Sequence, residues 1–286
     1  MIYFFIALFF SSLIVITFKL IVRFRLQLLP VVFVNYITAT LLGLSSTHAF
    51  FVGQNLVKLG WFPYALAGGL LFIITFLLMG ISTRHAGLAI TSVAGKMSVV
   101  IPVAMGFLLL SERPTPLKVS GIFMALMAFY FVFGIRKDTS PETRHQLSIF
   151  PLLLFLSTGL GDSLIKYAQV HAIGNDFLPF LTVVFGVCLL LGILLLGYQN
   201  AWNNENRNWK NLLAGVALGS FNWYSTVFLL QAMQSMEASV IFPAFNAGMV
   251  AIASLSGTLL FGEKLRPLNW LGIFMAIAAT LLVAGT

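Results

Sequence analysis

Two ionisable side chains lie deep inside apolar runs: Lys96, in the stretch AGKMS, and Asp162, in GLGDSLIKY. In hydrocarbon a charge costs at least about 2.5–3.5 kcal/mol at the bilayer centre, so such residues mark substrate or ion pathways by default. Lys166 follows Asp162 by four residues and shares its helical face. Two readings of Asp162 stand side by side. One is an i,i+4 pair with Lys166 that helps a helix insert. The other is a cavity-facing carboxylate that pairs with Lys96 in one state, releases it in another and takes up a proton. Snorkelling would carry the Lys96 ammonium to the membrane surface, but from the middle of its run that surface is far away. Lys96 is therefore expected to face a cavity, where an amine suits an anionic or carboxylate-bearing substrate, or serves as counter-ion to Asp162.

Neutral polar residues extend the candidate lining: Asn35 and Tyr36 in one apolar run, Asn222, Tyr224 and Gln231 in another, and Asn246 in the next. In lipid such side chains act either as interhelical glue, at about 0.6 kcal/mol on average, or as pathway lining. Glu237 begins an apolar run, where a helix N-terminus favours a carboxylate; cap and gate are the two readings. Glu112 and Glu263, each with a basic neighbour, read as surface anchors, with a gating salt bridge as the alternative. Gly121/Ala125 and Gly272/Ala276 have the small-xxx-small spacing that lets helices approach closely. They serve packing within the chain or a homodimer seam.

Catalysis finds no machinery. Gly159-Leu160-Gly161-Asp162 fits the GxGD pattern of intramembrane aspartyl proteases, but that chemistry needs two carboxylates sharing a proton. The other aspartates, Asp138 and Asp176, lie in loops. No P-loop glycine pattern and no HExxH occurs. His48, His85, His145 and His171 sit at the ends of runs or in loops and form no close-spaced ligand set. Cys188 is the single cysteine, so neither an internal disulfide nor a cysteine metal site can form. Neither a cofactor nor a metal is expected.

The elements that carry these residues follow from composition. Of 286 residues, 59% are hydrophobic and only 8% charged, against about a quarter charged in soluble domains. Apolar stretches of the ~20 residues needed to cross a bilayer recur along the chain. The expected fold is an all-α polytopic membrane protein; a β-barrel would show short alternating segments, which are absent. Net charge is +8, but the basic residues stand in ones and twos at the ends of apolar runs, so nucleic-acid binding is excluded. The first run starts at Ile2 without a basic n-region or a small-residue cleavage site, and reads as a first span instead of a signal peptide. Ten spans are expected. In the first half they are Ile2–Val22, Leu29–Leu44, Ala65–Ser82, Gly87–Leu110 and Leu117–Phe133. In the second they are Ile149–Val170, Phe177–Gly197, Leu212–Met233, Ala238–Phe261 and Leu268–Ala284.

The halves are copies. SERPTPLKVSGIFMA at 111–125 aligns without a gap to GEKLRPLNWLGIFMA at 262–276, pairing Glu112 with Glu263 and Pro116 with Pro267. Lys19 and Lys166 occupy similar places, and Arg84-His85 and Ser235-Met236-Glu237 mark equivalent turns before the fourth span of each half. The domains are residues 1–135 and 148–286, joined by the charged linker 136–147, RKDTSPETRHQL. Five spans per copy is odd, so the second copy enters the bilayer inverted. Inverted repeats are a hallmark of secondary transporters, with the site near the midplane at the repeat interface.

The doubled pattern of an apolar fourth span, a Glu-basic pair and a proline-led fifth span with an early glycine resembles the EamA-like branch of the drug/metabolite transporter superfamily. Pro102 within span four fits the resemblance; Ala253 standing opposite it, with Pro243 earlier in span nine, departs from symmetry. The resemblance implies ten helices in two inverted five-helix bundles around a central cavity, with Asn222, Tyr224 and Asn246 on cavity-side spans and spans five and ten outside. It also implies export or exchange of small metabolites, amino acids included, without ATP. The expectation is thus a multi-pass transporter of the cell membrane, with a small-molecule substrate, a coupling proton and a homodimer seam on spans five and ten. A non-transporting scaffold and a channel are the alternatives. The loops that follow span one carry Arg23, Arg25, Arg84, Arg136, Lys137, Arg144, Arg207, Lys210, Lys264 and Arg266, against Lys58, Arg113 and Lys118 opposite. The positive-inside rule then puts both termini outside; the resemblance implies inside.

Overall fold

Apolar runs satisfy their backbone in lipid only as helices or closed barrels, and the computed structural model takes the first solution. It describes residues 1–51, 55–133, 149–199, 209–261 and 267–284. The helices are α1 (Ile2–Arg23), α2 (Leu28–Phe51), α3 (Phe62–Met97), α4 (Val100–Leu109) and α5 (Pro116–Phe133), then α6 (Phe150–Ala168), α7 (Phe177–Gln199), α8 (Trp209–Met233), α9 (Ala238–Phe261) and α10 (Pro267–Ala284). Among the described residues there is no strand. Windows in α2, α3, α7 and α8 are long and apolar enough to cross a membrane alone. Linker 136–147 and Glu263 lie outside the described residues.

Prolines punctuate the chain as their chemistry requires. Pro116 and Pro267 open α5 and α10, where a missing N–H costs nothing. Thr115 caps α5 by accepting the Lys118 N–H at 3.3 Å. Pro102 acts on the residue four before it. With no N–H to offer Ser98, it leaves that carbonyl to the Ile101 N–H at 3.0 Å, and the helix breaks at Ser98–Val99.

That break corrects the expected boundary between spans three and four. No turn occurs at Arg84-His85; α3 runs 36 residues through them, about 54 Å at 1.5 Å per residue, and α4 is only 10 residues long. Arg84 is consequently a helical residue and not a loop charge. Lys96 stands in the last turn of α3, beside the break, instead of within an unbroken span.

The helices form two contact units, each drawing on both sequence halves: Met1–Ile73 with Tyr167–Gln234, and Ile74–Lys166 with Ser235–Thr286. In the first, α8 packs on α1 and α2, and α2 on α7. Small residues permit the approach: a Cβ on Gly215 would lie 2.8 Å from the Val31 carbonyl, and one on Gly219 2.5 Å from that of Asn35. Ser11 and Ser225 share a buried hydrogen bond between α1 and α8. Trp61 is buried edge-on to Phe180, and its indole N–H donates to Asp176 at 3.2 Å.

In the second unit α5 packs along α10, and α9 against α4, α5 and α10. Gly121, Ala125 and Gly272 are buried within the chain. Phe123 and Phe274 on the same helices are exposed. Helix α6 meets the α3–α4 break at Gly159, where a Cβ would stand 2.8 Å from the Ser98 carbonyl. Thr75 donates to Ser157 at 3.1 Å, tying the middle of α3 to α6.

Candidate functional site

Lys96, Asp162 and Asn246 come together from three helices of one unit. The helix break after Met97 puts Lys96 in the last turn of α3, a favourable place for a cation. Gly159 brings α6 against the break, and Asp162, one turn further, interacts electrostatically with Lys96. From α9, Asn246 accepts a hydrogen bond from the Lys96 ammonium at 3.2 Å. Lys96 and Asp162 are half-buried. A Cβ built on Gly95 would meet nothing within 4 Å, so α3 is unobstructed at the residue before Lys96.

This arrangement holds a cation on one neutral oxygen, with a carboxylate within electrostatic reach. An arriving anion can replace the Asn246 amide oxygen on Lys96. Among the described residues no cluster of metal-ligating side chains exists.

Asn35 and Asn222 meet in the other unit, where the Asn222 amide donates to Asn35 Oδ1 at 3.2 Å. Tyr36, next along α2, is buried against Phe185. Tyr224 is exposed and stacks on Phe10 at 5.4 Å, in a column that continues through Phe228 to Tyr3. Gln231 Oε1 is buried without a hydrogen-bond partner among the described residues. A cavity of about 260 Å³ in this unit is lined by Ser46, Thr47, Phe50, Asn175, Asp176, Leu178 and Pro179, and takes in none of the residues singled out by sequence.

The helix-end candidates change roles. Glu112 is no surface anchor: its carboxylate accepts the N–H groups of Ala238 at 2.6 Å and Ser239 at 2.9 Å, capping α9. Glu237 does not make that cap; its side chain pairs with buried Lys118. Lys166 is buried, donates to the Met236 carbonyl at 2.8 Å, and lies within electrostatic reach of Glu112 and Glu237. Lys118 counted in the sequence only as a loop charge. Its partner lies 119 residues away, and no local pattern announces such a contact.

Residues 147–285 match the model of the EamA-like transporter family. An uncharacterized protein of Haemophilus influenzae is 25% identical over 220 residues, covering 76% of this chain and 73% of its own length. A Sinorhizobium protein described as an uncharacterized transporter in the cobO 3′ region is 30% identical over 118 residues, 40% of this chain and 80% of its own. One crystal structure of another protein superposes with a TM-score of 0.74 over 99% of this chain and 95% of that chain, at 16% identity. It shares the fold.

Proposed function

Because the chain belongs to the EamA-like transporter family of the drug/metabolite transporter superfamily, we propose that it exports a small polar metabolite, such as an amino acid or related compound, by alternating access without ATP. The observation that carries this reading is the Lys96–Asn246 hydrogen bond beside Asp162, at a break in a helix among apolar spans. Discontinuous helices that present charge and free backbone near the midplane are where secondary transporters bind cargo. The Lys96 ammonium takes the substrate's negative end, and Asp162 holds either a proton or the positive end of a zwitterion.

Two inverted five-helix repeats are part of the proposal, in a multi-pass protein of the cell membrane. Packing supports the repeat: α2 lies on α7, α4 on α9 and α5 on α10, each pair holding equivalent places in the two halves. Equivalent elements of two copies touch in this way when a two-fold axis runs between them.

The test begins with metabolite profiles of medium and cytosol in cells lacking and overproducing the protein. The solute that responds is then followed by counterflow in proteoliposomes. Wild-type protein should exchange it, while Lys96→Met should insert normally and lose at least about tenfold in flux, the worth of one charge-assisted contact. Unchanged flux in Lys96→Met would remove the site from the mechanism, and no responding solute would sink the exporter reading.

A further inference from the structure

The cap on α9 is unusual in where it comes from. Helices commonly take their N-terminal cap from a neighbour in sequence. Here the residue before the helix, Glu237, spends its side chain on Lys118, and the cap arrives from Glu112, 126 residues away. The turn after α4 is bent to deliver it. Ser111 adopts a left-handed conformation, φ 55°, a strained choice for a residue with a side chain. The Glu112 N–H then donates to the Gly106 carbonyl at 3.1 Å. A Cβ on Gly106 would stand 2.6 Å from the Glu112 carboxylate, so a larger residue there would push the folded-back side chain aside.

Glu112 and Glu237 face Lys118 and Lys166, and these four side chains carry no net charge between them. Charged hydrogen bonds are strong in a water-poor site and are readily replaced by water once it enters. Such a junction closes firmly and still opens.

Helix α9 has one weak point at this end. Pro243 lies within it and has no N–H for the Ser239 carbonyl, so one hydrogen bond fails between the capped first turn and the turn that follows. The first turn is buried through Ala238, Ser239, Val240 and Ile241, and Ser239 Oγ has no partner among the described residues. Three residues beyond Pro243, Asn246 bonds Lys96.

We propose that Glu112 is a latch: bonded to the head of α9 it holds Asn246 on Lys96, and its release lets the first turn of α9 swing about Pro243 and water reach the site. This rests on the transporter reading, and the experiment separates the two. In a Cys188→Ala background, Ser239→Cys is labelled in detergent with a small water-soluble thiol reagent. Labelling should be slow with Glu112 present and at least about tenfold faster with Glu112→Ala, the factor carried by hydrogen bonds to a charged group. Glu112→Gln, which keeps an oxygen acceptor, should fall between.

The paired variant Glu112→Cys with Ser239→Cys covers the case in which Glu112→Ala fails to fold. Bridging the two thiols should abolish counterflow, and reduction should restore it. Labelling of folded Glu112→Ala within about twofold of its parent, below the factor one such bond carries, overturns the latch. So does full counterflow by the bridged protein. A wild-type protein with no counterflow at all defeats the transporter reading instead, and the labelling rates still judge the latch.

Discussion

Removing Lys96 and Asp162 singly and together separates what the pair does for the fold from what it does for transport. Lys96→Met leaves the Asp162 carboxylate without its cation, and Asp162→Asn leaves Lys96 with only the Asn246 oxygen, 3.2 Å away. Breaking a fully buried ion pair costs about 3–5 kcal/mol; replacing both partners is often neutral, or stabilising by about 1–4 kcal/mol. Both side chains are half-buried and act on each other at longer range than a direct ion pair, so each single variant should lose less than that range, about 1–2 kcal/mol. That is about one order of magnitude in the folding equilibrium. The double variant should recover at least to wild type. Reversible unfolding by SDS in mixed micelles measures the cycle, and counterflow in proteoliposomes measures flux. The expected pattern is a stable double variant that transports nothing. Additive destabilisation would show that the two residues are not partners, and a double variant with wild-type flux would show that they are not the site.

Two further outcomes test the packing. Gly219→Ala drives a methyl to 2.5 Å from the Asn35 carbonyl and 2.7 Å from Thr38 Cβ, an overpacking that should cost about 1–3 kcal/mol; Gly186→Ala meets nothing within 4 Å and should be neutral or stabilise α7 by up to about 1 kcal/mol, so equal effects in SDS unfolding would refute the α2–α8 contact. Trp61→Phe keeps most of a buried ring but removes the donor to Asp176, and should lower stability by about 1.5–3 kcal/mol, the worth of a hydrogen bond to a charged group; no loss would mean that water replaces the indole.

The sequence revealed most where chemistry is local. Apolar runs without strand alternation must become helix in lipid, Pro116 and Pro267 had to open helices, and Lys96 and Asp162 stood out as charges within apolar runs. The break beside Lys96 was half visible: Pro102 announces one, but its effect falls at Ser98–Val99, where the carbonyl it cannot serve sits. Arg84-His85 misled for the opposite reason. Charge resembles punctuation, yet arginine and histidine carry no backbone penalty, and without glycine or proline between Ser82 and His85 the helix continues. Gly215 and Gly219 have the same spacing as Gly121 and Ala125, and only their neighbours on α2 distinguish a tight contact from a coincidence. Long-range pairs such as Glu112 with Ala238 leave no trace in spacing at all.

One correspondence joins the site to the repeat. In the register that pairs Glu112 with Glu263, Asn246 stands opposite Gly95, one residue from Lys96. Near-equivalent residues of two copies touch only close to the axis that relates them, so the Lys96–Asn246 bond falls where the proposed two-fold would pass. The chemistry there is not two-fold. Lys96 has Ala247 as its counterpart, and the proline of α4 has Ala253. The first half has a helix break at Ser98–Val99, while in the second Pro243 lies within a continuous α9. Under the proposed alternating access, unlike hinges would give the two sides unlike barriers. Barriers set rates and leave the equilibrium between compartments untouched, so the proposed export would have to draw on a gradient, and Asp162, a carboxylate within electrostatic reach of Lys96, is the group we propose for coupling it.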